Sequence, residues 1–375
     1  MAGRWVRRRN THGRRTTKGL AAPLRFEYDL PTCYRICGMP RQVQQSVARL
    51  RRRIARPALT RAHALDVAVA VLSCRSKWFS RGWGDEEFLA ELPTAVSHTD
   101  PPIAISLAWS GKTERDSIVL RDASFPSPLT RLPAEARTVH LRAWLRDGNR
   151  TACVILAGSH DEGYRVRERV FGVLAARGID LYLVENPFYG LRRIPGGLSA
   201  IKVSDHAMMA LGMVLEGRAL LTCLRPQYER LAVAGYSMGG HMAAITAAVT
   251  PFPVGCAAMA AGASASSIYT AGLMTWAVDF KRLAGGRAQR AAARERLHQC
   301  FDAADVTRYP APLRADAAVI LGCKRDGYVL HSETERLHCH WPGSTLRWLD
   351  AGHFSALLTG RRTLCECVAE AIAKL

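Results

Sequence analysis

Apolar and polar positions change rhythm in the second half of this 375-residue chain. Short continuous apolar runs, each long enough for one buried strand, lie at Thr151–Ala157, Arg230–Ala234, Asp316–Cys323 and Thr345–Leu349. Such runs lack the alternation of a half-exposed strand and are typical of strands covered on both faces. Helical patterns separate them, and a last helix is predicted at Arg362–Lys374. This alternation predicts an α/β fold with a mostly parallel, doubly wound sheet.

The pattern divides the chain into a leader at 1–61 and one domain at 62–375. The domain is predicted to open with a helix at Ala62–Leu92 that carries three aromatic residues, Trp78, Phe79 and Trp83. An Ala-, Gly- and Arg-rich insertion at 262–312 interrupts the later alternation, where folds of this type place a lid. Its apolar part, Ile268–Phe280, could line a ligand pocket or pack in the core, and the pattern favours neither.

Three strands are predicted between the first helix and the parallel part of the sheet. They lie near 103–109, 116–121 and 137–145. Short Pro-rich turns, such as Phe125-Pro126-Ser127-Pro128, predict that these N-terminal strands are antiparallel. Gly111-Lys112-Thr113 resembles part of a phosphate-binding loop, but Ser106 stands where the first glycine of that loop belongs. We therefore interpret the tripeptide as a turn between two strands.

The positive charge of the chain is concentrated in the leader. Residues 1–61 hold 15 arginines and one lysine against two acidic residues, which gives +14 of the net charge of +20. Residues 1–19 lack hydrophobic periodicity and are predicted to be disordered. Arg41–Arg56 has an apolar stripe and predicts a short basic amphipathic helix. This leader could contact an anionic membrane or nucleic acid weakly, or it could be a solvated tail.

Other features of the composition point away from membrane-spanning and metal-binding proteins. No uninterrupted apolar run reaches the ~18 residues of a membrane helix, so no transmembrane segment is expected. The 11 cysteines are an odd number without the spacing of a disulfide framework, which favours reduced thiols and a cytoplasmic protein. Cys33 with Cys37, His338 to His340, and Cys365 with Cys367 do not form paired zinc knuckles. No metal or cofactor is expected.

The segment Leu231–Ala243, with the sequence LAVAGYSMGGHMA, predicts a buried strand, a sharp turn and a helix. The turn carries Ser237 within a G-x-S-x-G pattern, which is typical of a nucleophile elbow. Gly235 and Gly239 would let the strand and helix approach each other closely. A serine in such a turn can act as a nucleophile when a base and an acid lie close to it.

Candidates for both partners follow in the chain. Asp326 lies just past the strand that ends at Cys323, and His353 follows the strand that ends at Leu349. Because carboxyl ends of parallel strands meet at one edge of a sheet, we expect Ser237, Asp326 and His353 to form a Ser-His-Asp triad. Asp350 and Asp305 are alternative acids, although Asp350 is close enough to His353 to be a strand-end residue.

An oxyanion hole needs backbone N–H groups near the reacting carbonyl. Met238 follows the nucleophile and is one predicted donor. The loop after Thr151–Ala157 is expected to give the second, from Ser159 or His160. The side chain of His160 could also be only a polar loop residue.

Several segments together resemble the α/β-hydrolase domain-containing 18-like family. They are KWFSRGWGDEEFLAEL, LAGSHDEGYRVRE, LVENPFYGLRR, KVSDHAMMALGMVLEGRALL, AGYSMGGHMA, KRDGYV and WLDAGHFSALL. The resemblance implies an α/β-hydrolase fold with Ser237 as nucleophile, Asp326 as acid and His353 as base. Residues 157–162 of this chain have the sequence AGSHDE, and the corresponding segment of family members is similar to AGTGDH. His160 therefore takes the place of a glycine beside the expected oxyanion loop.

These residues predict a serine hydrolase that cleaves a carboxylic ester through an acyl-enzyme. The resemblance and the apolar insertion favour a lipid acyl ester or another small-molecule ester. The same site could serve an acyltransferase or a thioesterase. A different alternative is a non-catalytic hydrolase-fold scaffold that binds an anionic partner through its basic N-terminus, which an intact triad disfavours.

Overall fold

The structure is a computed structural model that describes residues 61–74, 76–94, 101, 103–115, 117–194, 202–286 and 288–375. Except for Arg61, the predicted leader lies outside the described residues. The same holds for its basic helix at Arg41–Arg56 and for Cys33 and Cys37. The predictions made for the leader therefore stay predictions.

A nine-stranded sheet forms the centre of the described part, in the order β1-β2-β3-β5-β4-β6-β7-β8-β9. The strands are β1 (Ala108–Arg115), β2 (Ile118–Pro126), β3 (Thr138–Leu145), β4 (Thr151–Leu156), β5 (Asp180–Val184), β6 (Arg230–Tyr236), β7 (Gly255–Met259), β8 (Ala318–Cys323) and β9 (Thr345–Leu349). Three neighbouring pairs are antiparallel: β1 with β2, β2 with β3, and β3 with β5. The remaining pairs, from β5 with β4 through to β8 with β9, are parallel. The predicted fold class is confirmed, including the antiparallel N-terminal strands.

Helices cover both faces of this sheet. The helices of the described residues are α1 (Ala64–Ser73), α2 (Glu86–Glu91), α3 (Arg165–Phe171), α4 (Val203–Leu224), α5 (Met238–Val249), α6 (Ser266–Thr270), α7 (Phe280–Ala284), α8 (Arg290–Asp302), α9 (His331–His340), α10 (Ser355–Thr359) and α11 (Arg361–Ala373). Successive residues of the central strand β6 enter opposite cores: Val233 packs with residues of α4 and α5, and Ala234 packs with residues of α3 and α11. Burial on both faces explains why the parallel strands are continuously apolar.

The interpretation of Gly111-Lys112-Thr113 as a turn is wrong. All three residues lie inside β1, which continues to Arg115. Gly111 has a φ of 57°, and the pairing with β2 shifts between Ser110 and Lys112. Glycine adopts this backbone without strain, so the chain forms a β-bulge here and remains a strand.

The single helix predicted at Ala62–Leu92 is also wrong, because the structure has two short helices, α1 and α2, with a loop between them. Gly82 and Gly84 have φ values of 87° and 82°, which no helix accommodates. Trp78 forms an isolated bridge with Val278 of the insertion. Its ring and that of Phe79 are buried in an aromatic cluster, so tertiary packing holds these two residues in a loop in place of the predicted helix.

The insertion lies between β7 and β8. It contains the short helices α6 and α7, the longer helix α8 and two 3₁₀ turns, Leu273–Trp276 and Val306–Arg308. Tyr269 and Phe301 of this insertion stack with their ring centroids 4.8 Å apart. Both rings pack with Phe79, which lies in the loop between α1 and α2, called the N-terminal loop below. The insertion and the N-terminal loop thus form one aromatic layer above the carboxyl edge of the sheet.

In the described part, α4 is the one helix long and apolar enough to cross a bilayer. However, 78% of its apolar window is buried inside the protein, where α4 packs on α5 and β4. Core helices pass the same test of length and composition, so this is weak evidence for a membrane segment. The sequence prediction considered only uninterrupted apolar runs and therefore did not single out this helix.

Candidate active site

Ser237 stands at the turn between β6 and α5, and its backbone is strained. Its φ is 58° and its ψ is −122°, a region that non-glycine residues rarely occupy. A Cβ atom on Gly235 would lie 2.3 Å from the backbone of Gly239, and one on Gly239 would lie 2.4 Å from the Leu156 carbonyl oxygen. The two glycines therefore permit the close crossing of strand and helix that keeps the serine at the edge of the sheet.

The structure brings the three side chains of the predicted triad together. The distance from Ser237 Oγ to His353 Nε2 is 2.8 Å, and His353 Nδ1 lies 2.7 Å from Asp326 Oδ2. Because the carboxylate can only accept, Nδ1 carries the proton and Nε2 is left to accept from the serine hydroxyl. His353 and Asp326 are buried, which protects both hydrogen bonds from water.

Asp326 is held by its own loop. Its Oδ1 accepts hydrogen bonds from the N–H groups of Tyr328 at 2.7 Å and Val329 at 2.9 Å, which leaves Oδ2 to face the imidazole. The alternative acids lie elsewhere. The exposed side chain of Asp350 pairs with Arg325, and Asp305 pairs with Arg336. The geometry therefore places Asp326 beside the histidine.

Two opposing effects act on the pKa of His353. Burial of the ring disfavours the imidazolium, and the adjacent Asp326 carboxylate stabilises it through charge and hydrogen bonding. The carboxylate prevails, so the pKa of His353 is raised above its ordinary value of 6.5. A histidine with this pKa can accept a proton near neutral pH and return it.

The predicted oxyanion residues lie beside Ser237. Met238 begins α5, so its N–H has no acceptor within the helix and lies at the positive end of the helix dipole. Ser159 Oγ is 3.6 Å from Met238 Sδ, which brings the loop after β4 next to the elbow. The N–H of His160 donates to Tyr189 Oη at 3.0 Å and is therefore occupied. Of the two residues predicted on this loop, the geometry favours Ser159.

Arg167 supports the same loop and was missed by the sequence analysis. Its guanidinium is buried, pairs with Asp161 at 2.8 Å, and donates to the carbonyl oxygens of Ile155, Val184 and Gly163. One arginine thus joins two strand ends to the loop that follows β4. In the sequence, Arg167 is one of several charged residues near the start of α3, where arginine is usually exposed. Nothing in this local pattern indicates that Arg167 is buried.

Asp66 was also missed, although it interrupts the apolar segment that forms α1. Its carboxylate is fully buried and accepts hydrogen bonds from the N–H groups of Gly327, His353 and Phe354. Tyr236, the residue before the nucleophile, donates its hydroxyl to the carbonyl oxygen of His353 at 2.6 Å. The backbone of the histidine is therefore held from two sides.

A cavity of about 330 Å³ opens beside the serine and histidine. Its wall combines the N-terminal loop, α4 and the insertion, and includes Trp78, His206, Ile268, Tyr269, Met274 and Phe301. Burial, and secondarily the nearby His160, lowers the pKa of His206 to about 3, so this ring is neutral at physiological pH. The wall is predominantly apolar, and the cavity extends to Ser237.

The described residues contain no group of three or more His, Cys, Asp and Glu side chains arranged to hold a metal ion. The nine cysteines within the described ranges are all unpaired. The predicted cytoplasmic location stays a prediction.

A mostly parallel sheet with helices on both faces, and a strained serine at the end of its central strand, define an α/β-hydrolase. The model of the family "alpha/beta hydrolase domain containing 18" matches residues 76–289 and 285–374. The chain belongs to this family, as its sequence segments predicted. It is therefore an enzyme of the hydrolase class.

Solved structures with the same fold include esterases. Acetyl xylan esterase 1 from Thermoanaerobacterium sp. JW/SL YS485 aligns over 79% of this chain and 97% of its own, with a TM-score of 0.51 and 16% identity. An acetyl xylan esterase from Paenibacillus sp. R4 aligns over 78% of this chain and 98% of its own, with a TM-score of 0.50 and 16% identity. At this identity the likeness establishes the fold alone.

Proposed function

We propose that this protein is a serine hydrolase that cleaves carboxylic esters through an acyl-enzyme. The observation that carries the proposal is the continuous hydrogen-bonded chain from Ser237 Oγ through His353 to Asp326, with distances of 2.8 Å and 2.7 Å. Acyl transfer to water needs a base that takes a proton from the attacking oxygen and later returns it to the leaving oxygen. The hydrogen bond between His353 Nε2 and Ser237 Oγ places such a base beside a nucleophilic oxygen.

The first half-reaction forms the acyl-enzyme. His353 Nε2 takes the proton of Ser237 as Oγ attacks the ester carbonyl, and the carbonyl π electrons move to its oxygen. When the tetrahedral intermediate collapses, the bond to the alcohol oxygen breaks, and the imidazolium gives its proton to that alcohol. Asp326 stabilises the imidazolium and keeps Nδ1 protonated.

The second half-reaction repeats these steps with water. His353 deprotonates the water as it attacks the acyl carbon, and the proton returns to Ser237 Oγ when the acid leaves. The backbone N–H groups of Met238 and Ser159 are the proposed donors to the oxyanion in both halves. Such donors typically contribute a factor of ~10²–10³ to kcat.

The cavity supports an apolar acyl group as the preferred substrate portion, as in a lipid ester. Its volume of about 330 Å³ lies near the lower end of the ~300–1,000 Å³ range of ligand pockets. Aromatic and aliphatic side chains form most of its wall, and His206, one of the buried histidines that line it, is uncharged at neutral pH. We therefore propose an uncharged acyl chain whose length the volume of this cavity limits.

The direct test is turnover of a panel of p-nitrophenyl acyl esters from acetyl to palmitoyl by the purified full-length chain. We expect saturable hydrolysis with an optimum at short or medium chains and a decline at palmitoyl. Absence of turnover with every ester, in protein shown to be folded, would contradict the proposal. Transfer of the acyl group to an added alcohol or thiol faster than to water would assign the site to an acyltransferase.

Replacing Phe301 with alanine is expected to shift this optimum to longer acyl chains. Phe301 lies between the main cavity and a second void of about 40 Å³, and its side chain borders both. Removing the ring would join them. The expected readout is a rise in kcat/KM for a longer ester relative to a shorter one, with a stability cost of ~3–5 kcal/mol.

Leu297→Ala is the matched control for this substitution. Leu297 is fully buried one turn earlier in α8, within the same aromatic cluster, and does not border the cavity. It should lower stability without changing the order of preference among esters. An equal shift of the preferred acyl-chain length in both variants would show that Phe301 does not determine this preference.

Ester hydrolysis is expected to increase with pH through an apparent pKa above 6.5, the ordinary value for histidine. The reaction needs neutral His353, and Asp326 raises the pKa of this imidazole, so protonation removes activity as the pH falls. His206 has a pKa of about 3 and does not titrate in the assayed range. The measurement is kcat/KM for a neutral ester between about pH 5 and pH 9. An acidic limb with an apparent pKa below 6.5 would contradict this assignment.

A further inference from the structure

Asp66 is a fully buried carboxylate outside the Ser-His-Asp chain. It lies in the first turn of α1, where His63 caps the helix by accepting the N–H of Leu65. Within the described residues, the partners of its two oxygens are backbone N–H groups. A buried carboxylate is costly unless hydrogen bonds and nearby positive charge compensate for lost hydration. Its partners therefore indicate what it does.

Those partners belong to the two loops that carry the base and the acid. Asp66 Oδ2 accepts from the N–H of His353 at 2.8 Å and from that of Gly327, the neighbour of Asp326, at 3.1 Å. Oδ1 accepts from the N–H of Phe354 at 3.0 Å. One carboxylate thus ties the loop after β8 to the loop after β9.

The backbone of the histidine loop leaves space for this contact. A Cβ atom on Gly352 would lie 2.3 Å from His63 Cβ and 2.9 Å from each carboxylate oxygen of Asp66. Both distances are shorter than atoms tolerate, so α1 could not reach the loop if residue 352 had a side chain. Gly352 and Asp66 therefore form one joint structural feature.

The burial of Asp66 also affects its ionisation. Burial raises the pKa of Asp66, although the N–H groups of Phe354 and His353 act in the opposite direction. A carboxyl with a raised pKa binds more protons in the folded state, so the free energy of unfolding decreases as pH rises through this range. The raised pKa of Asp66 therefore does not help to stabilise the fold as its carboxyl ionises.

We infer that Asp66 is a positioning residue for the hydrolysis proposed above. Its carboxylate fixes the separation of the Asp326 and His353 loops, and its negative charge stabilises the imidazolium that forms when His353 takes the serine proton. The second effect follows because α1 holds this charge against the backbone of the histidine. This inference rests on the proposed function.

Other titratable groups surround the same position. Asp326 faces Asp66 from the acid loop, and its like charge opposes ionisation of Asp66, while His353 favours it. Tyr328 donates its hydroxyl to the carbonyl oxygen of Asp66 at 3.2 Å, and burial keeps this phenol and that of Tyr236 neutral by raising the pKa of each. Burial similarly raises the pKa of Cys323. His353 is therefore the group near Asp66 that gains charge during the reaction.

The test is the second-order rate of labelling by a fluorophosphonate probe as a function of pH, in wild type and in Asp66→Asn. Both carboxylate oxygens of Asp66 accept backbone N–H groups, whereas the asparagine side chain has one oxygen and one NH₂ group. The NH₂ group would therefore face at least one backbone N–H group. The substitution also removes the negative charge. We expect a rate about 10- to 100-fold lower at neutral pH, as for a displaced catalytic group. The acidic limb should also move to lower pH, because His353 loses a charge that raises its pKa.

Asp350→Asn is the matched control. It removes a carboxylate three positions before His353 whose side chain is exposed and paired with Arg325. It should leave the rate and the limb unchanged. Three results would overturn the inference. They are a wild-type labelling rate in Asp66→Asn, a lower rate whose acidic limb stays at the wild-type pH, and equal effects in Asp66→Asn and Asp350→Asn. Wild type that resists labelling would overturn the proposed function and this inference together.

If Asp66→Asn does not accumulate as folded protein, Gly352→Ala tests the same contact from the opposite side. Its methyl group would push α1 and the carboxylate away from the histidine loop. We expect a lower labelling rate and an acidic limb displaced in the same direction. A wild-type rate and limb in Gly352→Ala would overturn the inference.

Discussion

Replacing Ser237 with alanine is expected to lower kcat for ester hydrolysis by at least ~10³-fold. The substitution removes the oxygen that lies 2.8 Å from His353 Nε2, so no acyl-enzyme can form. Residual turnover would come from direct attack by water with the remaining donors. The measurement is kcat and KM for the best ester of the panel, with thermal unfolding to show that the fold is intact.

Ser204→Ala is a suitable control for this experiment. Ser204 is a buried serine in the first turn of α4, and its hydroxyl contacts Asp205. This variant should retain wild-type kcat. If Ser237→Ala kept its activity and Ser204→Ala lost it, the nucleophile would have been assigned wrongly.

Replacing Asp326 with asparagine is expected to lower kcat by up to ~10⁴-fold with the fold intact. Asp326 Oδ1 accepts two N–H groups, from Tyr328 and Val329, so the amide oxygen must occupy that position. The amide NH₂ then faces His353 Nδ1, which has to accept. The ring proton moves to Nε2, and the ring can no longer accept the proton of Ser237.

Comparison with Asp350→Asn separates the two candidate acids. Asp350 pairs with Arg325 at the surface, and its loss should leave kcat within about twofold, as for most exposed ion pairs. Near-wild-type kcat in Asp326→Asn together with a large loss in Asp350→Asn would show that the acid was assigned to the wrong residue.

The parts of the site that could be predicted from sequence are those defined by local pattern. An apolar run, glycines two residues either side of Ser237 and an alanine-rich helix all fall within one short segment, so the elbow is visible without tertiary information. Asp326 and His353 lie three and four positions after the ends of apolar runs, at Cys323 and Leu349. The rule that parallel strands end at one edge then places them together.

Contacts between distant segments could not be predicted in this way. Asp66 is far from His353 in the sequence, and its role depends on how α1 packs over Gly352. Likewise, Trp78 and Phe79 are predicted to lie in a helix, yet packing against the insertion holds them in a loop. A single sequence carries no record of which side chains meet across the fold.

The loop after β4 shows an intermediate case. Its position after a strand predicts it as the second source of oxyanion donors, but the choice between Ser159 and His160 depends on Tyr189, whose hydroxyl accepts the N–H of His160. Tyr189 follows a different strand. The loop could therefore be predicted from the sequence, whereas the hydrogen bond that occupies the N–H of His160 required the structure.

The most direct test of a Ser-His-Asp hydrolase is the site of covalent labelling by a fluorophosphonate probe. Purified wild-type protein is incubated with the probe, digested and analysed by peptide mass spectrometry. One adduct on Ser237, absent after heat denaturation and in both Ser237→Ala and His353→Ala, is the predicted result. Folded protein that takes up no probe, or an adduct on another serine that persists in Ser237→Ala, would contradict the assignment.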